Sequence, residues 1–324
     1  MTRFHSDDYI NFFFPNTQVC VHNTVWPVLF NVFAIRGEEY RDPRVLIPGI
    51  DNIIAWAPEH LVATHGPPLS GRDRIRETSE RYRDSLQFLW DQTVRGINKG
   101  WTMDEVASRV ALPALYDQDH RTSERYGVGE HHVRQIYAGL RGWFDGEESK
   151  LFPLQPHERF EKLIAGFGGR GEVAKQASAA FDADDVRWGM ELATWLARST
   201  EATTADKELL ARGLRLIAER TPAANIRNWA ITRARHLDGQ TPMDRFMKHS
   251  FGARAIAHVP STDLIHTLRV LLDPARAEGL RAHVRFVVDG ESAGLLLRNC
   301  VAVPTDGKDA AVEVAMTRTT LAAI

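Results

Sequence analysis

Apolar and polar positions change rhythm twice along the chain. From Met1 to about Ser70, short apolar runs are broken by Pro and Gly: Tyr9–Phe14, Val25–Ile35, and Leu61–Ala63 ahead of His65-Gly-Pro-Pro68. Runs of this length between turn residues predict strands with short connections. From Arg72 the period lengthens. Ile75, Tyr82, Leu86, Leu89, Trp90, Val94 and Ile97 fall on one face of a long helix, which Gly100 stops. Thr102-Met-Asp-Glu105 is a capping box for the next helix, ended by Pro113, and Val133, Ile136, Tyr137 and Leu140 restart the period. Short antiparallel helices are expected over 156–166, 172–181, 185–198, 206–219 and 223–237. From Thr241 the pattern turns to α+β. A helix capped by Ser261 runs through Leu272, and strands follow at 283–288, 293–298 and 311–316, with Asp289-Gly290 and Asp306-Gly307 as turns.

Composition narrows the function classes. A chain of 324 residues, 44% hydrophobic and 25% charged, is an ordinary globular protein of two or three domains. Its 40 basic and 42 acidic residues nearly cancel, so it lacks the basic excess of a nucleic-acid binder. No apolar stretch approaches the roughly 18 residues of a membrane span. Met1–Asp8 lacks the basic start and long apolar core of a signal peptide, so the expected location is the cytoplasm. Cys20 and Cys300 cannot form a disulfide framework or a cysteine-rich zinc site.

The chemistry is sparse at the level of local motifs. None of the thirteen histidines forms His-x-His or His-x-x-x-His, the spacings that put two imidazoles on one zinc ion. The adjacent His131 and His132 point different ways on either a helix or a strand. Phosphate loops, nucleophile elbows and dinucleotide fingerprints are absent. Two Gly-containing loops remain. Asn31 and Arg36 flank an apolar run, and Arg36 beside Gly37 is a candidate oxyanion clamp through bidentate hydrogen bonds. Tyr126-Gly-Val-Gly-Glu-His131 presents an imidazole.

Several short motifs then occur in order: Asn11-Phe-Phe-Phe-Pro15, Ile35-Arg-Gly37, His65-Gly-Pro-Pro68, Asp91-Gln-Thr93, Asn98-Lys-Gly100, Tyr126-Gly127 and Gly142-Trp-Phe-Asp-Gly146. Through them the chain resembles the C-terminal part of the alkylsulfatase family, the dodecyl-sulfate-hydrolysing branch of the metallo-β-lactamase superfamily. The resemblance implies an α+β multidomain fold. Residues 1–70 would be the C-terminal remnant of a metallo-β-lactamase-like domain. Residues 71–240 would be an α-helical dimerisation domain, and 241–324 a sterol-carrier-protein-like domain with a shortened sheet.

The resemblance also implies roles. His65 occupies the family's last metal-ligand position, while Asn31, Arg36 and His131 match residues around the sulfate group. The family's His-x-His-x-Asp-His motif is absent, and no Glu stands near Asp8-Tyr9 or His22-Asn23, where its glutamate ligands align. His22 or Asp8 is left as a substitute metal ligand. One clear ligand cannot hold a catalytic zinc, which takes three from protein. Zinc is therefore expected only if a partner chain supplies the rest. A homodimer through the helical domain and an anionic amphiphile as ligand are also implied. Three readings stay open: a hydrolase component that needs a partner, a non-catalytic dimeric scaffold or apolar-ligand carrier, and a degraded gene fragment.

Overall fold

The structure is a computed structural model, which describes residues 2–3, 10–35, 37–242 and 258–321. It divides into two compact units, Met1–Pro242 and Met243–Ile324. The fold is α+β, with a large helical part and two small sheets. Among the described residues no helix is long and apolar enough to cross a membrane.

The first unit begins with a five-stranded sheet, β1 (Thr2–Arg3), β2 (Ile10–Phe14), β3 (Val19–His22), β4 (His60–Ala63) and β5 (Leu69–Ser70), in that order. Its β3–β4 pair is parallel and the rest antiparallel, with Cys20 opposite Leu61. The β3–β4 crossover contains α1 (Pro43–Trp56), which the alternation of short apolar runs did not predict. Asp42 caps it by accepting Arg44 N–H at 2.8 Å, and Pro43 takes the first turn, where a missing N–H costs nothing. Pro48 inside the helix is what hid it.

Val25–Ile35 is also corrected: it is an irregular segment and not a strand. Its apolar residues are threaded through the core, with Leu29, Phe30 and Val32 at 1% exposure or less. Its backbone bonds reach side chains and distant main chain instead of a ladder, which satisfies the same groups another way. Tyr82 Oη donates to Val28 O (3.0 Å) and accepts from Phe30 N (3.1 Å), and Gly127 N donates to Leu29 O (2.8 Å).

The long helix is α2 (Arg72–Asn98). It is followed by α3 (Met103–Arg109), whose Thr102–Glu105 capping box forms as read, then α4 (Ala114–Asp117) and α5 (Gly129–Arg141). Leu46, Ile50, Ile75, Tyr82, Leu86, Val133 and Ile136 join Cys20 and Phe30 in one contiguous core, so the sheet, the threaded segment, α1, α2 and α5 fold together. Five further helices complete the unit: α6 (Pro156–Gly166), α7 (Arg170–Asp182), α8 (Val186–Arg198), α9 (Thr204–Arg220) and α10 (Ala224–Leu237). Consecutive members from α7 to α10 pack on one another around small cores such as Phe181, Leu210 and Leu214.

Asp206 ties this array together. Its carboxylate accepts Thr203 N–H (2.7 Å) in the α9 capping box and pairs with Arg170 at the start of α7. Burial acts to raise its pKa, but the bonds from Thr203 and the Arg170 charge outweigh it and hold the carboxyl below its usual value. Asp206→Ala is expected to cost about 1–3 kcal/mol through the lost cap and the orphaned guanidinium. The wild-type contribution is present above the ordinary carboxyl pKa and lost as pH falls through the depressed folded value. Urea midpoints of the two proteins should therefore converge below about pH 4.

In the second unit, α11 (Ser261–Thr267) begins at Ser261 itself, with Pro260 as the cap residue, and passes into a 3-10 turn at Leu268–Leu271. A four-stranded sheet follows, formed by β6 (Ala282–Val288), β7 (Glu291–Arg298), β8 (Val301–Thr305) and β9 (Val312–Met316), in the order β8-β7-β6-β9. The strand β8 was not foreseen, because Pro304 sits in it; proline is tolerated there since β8 is an edge. Leu264, Ile265, Val288, Ala293 and Leu295 form the core.

Candidate functional site

The threaded segment 23–35 positions most of the candidate residues. Asn31 is 1% exposed. Its amide Nδ2 donates to Phe33 O (2.8 Å) and to Glu38 Oε1 (3.0 Å), and its backbone carbonyl accepts from Arg41 NH1 (2.9 Å). Arg41 also pairs with Glu38 at 3.4 Å. Both amide protons of Asn31 are thus spent on holding the 31–41 loop. Arg36 lies outside the described residues.

His131 stands in the first turn of α5, half-buried, with its ring edge-on to Phe33 at 5.4 Å. Glu124 Oε1 accepts Gly129 N–H at 2.6 Å and fixes the start of that helix. Burial pushes the His131 pKa down. Glu130 pulls it back up, and Arg134 and Arg187 lower it further, so the net direction is towards the neutral imidazole. Phe33, Ala34, Ile35, Ala138, His131 and Gln135 line a cavity of about 310 Å³. The next residue, His132, is fully buried with its ring also 5.4 Å from that of Phe33, and burial pushes its pKa down to about 3. The structure therefore brings Asn31 and His131 each against Phe33, one at its backbone carbonyl and the other at its ring.

His65 lies just past β4, exposed, with its ring 4.2 Å from that of Trp26. Gly66 has φ +84°, and a Cβ there would meet Pro27 at 3.0 Å, so glycine lets the His65 turn close against the threaded segment. His22, at the end of β3, is 2% exposed. Its Nδ1 accepts the backbone N–H of Thr24 and of Val25, both at 3.2 Å. Burial pushes its pKa down to about 4. His22 and His65 line a second cavity, of about 170 Å³, together with Thr78, His120 and Arg121. Sequence reading missed these last three, which come from α2 and the 118–128 loop and carry no local motif. The His131 cavity shares no lining residue with this one.

These residues do not fit a zinc ion by themselves. Among the described residues, the group of three ligand atoms lying within 4.8 Å of one another is Asp104, Asp145 and Glu147. Lys150 Nζ already lies 2.5 Å from Asp145 and 2.9 Å from Glu147, so this is a salt-bridge cluster. Neither His65 nor His22 belongs to such a group. His22, the other candidate ligand, already uses Nδ1 as an acceptor from two amides. The neutral ring therefore carries its proton on Nε2, which that proton must leave before the nitrogen can ligate a metal.

A helical α+β protein with a buried loop network, a half-buried histidine and an apolar cavity matches known proteins closely. Residues 102–240 match the alkyl sulfatase dimerisation family. A linear primary-alkylsulfatase from a Pseudomonas species is 32% identical over 96% of this chain and 61% of its own length. An alkyl/aryl-sulfatase of Saccharomyces cerevisiae is 28% identical over 91% of this chain and 46% of its own. The solved structure of a stereoselective inverting sec-alkylsulfatase from Pseudomonas superposes with a TM-score of 0.85 at 28% identity, covering 96% of this chain and 50% of that one. Residues 102–240 thus carry an alkyl sulfatase dimerisation domain, and the chain is similar to alkylsulfatases over nearly all its length. It spans about half to three-fifths of the length of these relatives.

Proposed function

We propose that this chain is the substrate-binding and dimerising component of an alkylsulfatase-like hydrolase that acts on a sulfate ester or similar anionic amphiphile. The observation that carries this reading is the cavity at His131. Its walls of Phe33, Ala34, Ile35 and Ala138 suit an alkyl chain, and a neutral imidazole stands where a sulfate oxygen could accept its hydrogen bond. In this reading Arg36 supplies the cationic contact, and Asn31 holds the loop that presents it. Residues 1–70 are the end of a metallo-β-lactamase-like domain, 71–240 the dimerisation domain, and 241–324 a sterol-carrier-protein-like domain. His65 is one zinc ligand. The others come from a partner chain carrying His-x-His-x-Asp-His. The experiment is co-expression with such a chain, followed by zinc analysis and a sulfate-ester assay.

The zinc-ligand geometry favours a second reading, a non-catalytic dimeric scaffold or apolar-ligand-binding relative. In that case the His131 cavity binds dodecyl sulfate without turnover, and co-expression recovers neither zinc nor hydrolysis.

Both readings require the homodimer. The stretch following α5 exposes Trp143 (73%), Leu151 (48%) and Phe152 (97%) within the family-matched residues. Such aromatics left in water mark an association surface. Trp143→Ser with Phe152→Glu is expected to weaken dimerisation at least about 30-fold, the equivalent of one interface hot spot. Sedimentation velocity across a dilution series would show it, and an unchanged dimer would place the interface elsewhere.

A further inference from the structure

We propose that Arg187, on α8, is a positioning residue for the His131 cavity: by holding the Glu130 carboxylate in an ion pair, it keeps His131 an uncharged hydrogen-bond donor to the sulfate ester. This rests on the reading of that cavity as the substrate site. Glu130 directly precedes His131 in the first turn of α5, and its carboxylate is the group that favours a proton on the imidazole. Left unpaired, a half-buried carboxylate in that place would draw the ring towards imidazolium. Arg187 reaches it from 57 residues further along the chain and closes a fork on it, Nη2 to Oε2 at 2.7 Å and Nη1 to Oε1 at 3.3 Å. Two parallel bonds fix the carboxylate in direction as well as charge.

Arg134 does not replace it. Its guanidinium reaches Glu130 through a single contact at 3.3 Å, is shared with Asp104, and itself lines the cavity. The bond from Arg187 is the largest influence holding the Glu130 carboxyl below its usual value, and the Arg187 charge also repels a proton on His131 directly. The other neighbours leave that sign unchanged. His132 is buried and neutral, Glu124 is bonded to Gly129 N–H, and Asp104 also faces Lys150 at 3.8 Å. Phe33 and Ile226 bring no charge from the threaded segment and α10. A neutral ring suits the chemistry. Hydrolysis turns a singly charged ester into doubly charged sulfate, and an imidazolium would hold the dianion more strongly than the ester. Keeping His131 neutral therefore favours ester entry and sulfate release.

The test is a pH titration of the His131 imidazole signals in a histidine-labelled sample of the intact chain, with and without dodecyl sulfate below its micelle-forming concentration. In Arg187→Gln the protonation constant of His131 should rise about two- to fivefold, the range of an exposed ion pair, since the Arg187 side chain is 85% exposed. Arg187→Lys, which keeps the charge, should restore at least half of the difference. In a Glu130→Gln background the effect of Arg187→Gln should shrink, because it is exerted chiefly through that carboxylate. Sodium sulfate binding, which strengthens as His131 takes up its proton, should begin to strengthen at higher pH in Arg187→Gln than in wild type. The proposal is overturned by a protonation constant that is unchanged or lowered in Arg187→Gln, or by an equal rise when Glu130 is already Gln. Dodecyl sulfate that moves no His131 signal in the wild-type chain would instead remove the substrate reading, and this proposal with it.

Discussion

Tyr82→Ala is expected to lower unfolding free energy by about 3–5 kcal/mol, the range for deleting a large buried aromatic. Tyr82 is fully buried on α2, stacked on Phe30 with ring centroids 5.8 Å apart. Its hydroxyl is also the bracket of the threaded segment, donating to Val28 O and accepting from Phe30 N. Tyr82→Phe keeps the ring and loses the bracket, leaving the buried Phe30 N–H and the part-buried Val28 carbonyl without it at a cost of about 1–3 kcal/mol. Urea denaturation followed by circular dichroism separates the two effects. A Phe variant as stable as wild type would mean that the segment is held by packing alone.

Gly127→Ala is expected to damage both stability and the His131 cavity. An added Cβ would stand 2.2 Å from Phe30 O and 2.7 Å from His132 Nε2, so the threaded backbone must move away from α5. Overpacking of this kind costs about 1–3 kcal/mol, at the upper end when the obstacle is main chain. Because Asn31 and Phe33 follow directly, dodecyl sulfate affinity should fall with it. Gly171→Ala is the control. It lies in α7 with no atom within 4 Å of the new methyl, and alanine there should stabilise by about 0.5–1 kcal/mol. Thermal melts and calorimetric dodecyl sulfate titration of the two variants make the comparison. Equal behaviour would contradict the close approach at Gly127.

The helical half of the fold was legible because periodicity is a local signal. The face of α2, the Thr102–Glu105 box and the 156–237 helices all follow from residues within a turn or two of each other. The failures share a cause of the opposite kind. Val25–Ile35 is apolar because it shares a core with the sheet, α1, α2 and α5, not because it joins a sheet, and nothing within the run distinguishes the two cases. In α1, Pro48 argued against a helix that burial of Leu46, Ile50 and Ile53 nevertheless imposes. The site was legible as residues and not as groupings. His65 and His131 could be singled out, yet their separate cavities, and the company of His22 with His120 and Arg121, depend on chain crossings nearly a hundred residues apart. The tautomer of His22 is set by two amides whose direction only the fold defines.

The central claim is that this chain brings the substrate cavity and the dimer surface, and not a complete zinc site. Its most direct test is zinc content together with dodecyl sulfate hydrolysis, measured on the purified chain after equilibration with zinc, before and after adding a protein that carries His-x-His-x-Asp-His. The account predicts a dimer with no stoichiometric zinc and no hydrolysis before the addition, and both after it. Stoichiometric zinc and turnover in the chain by itself would contradict it.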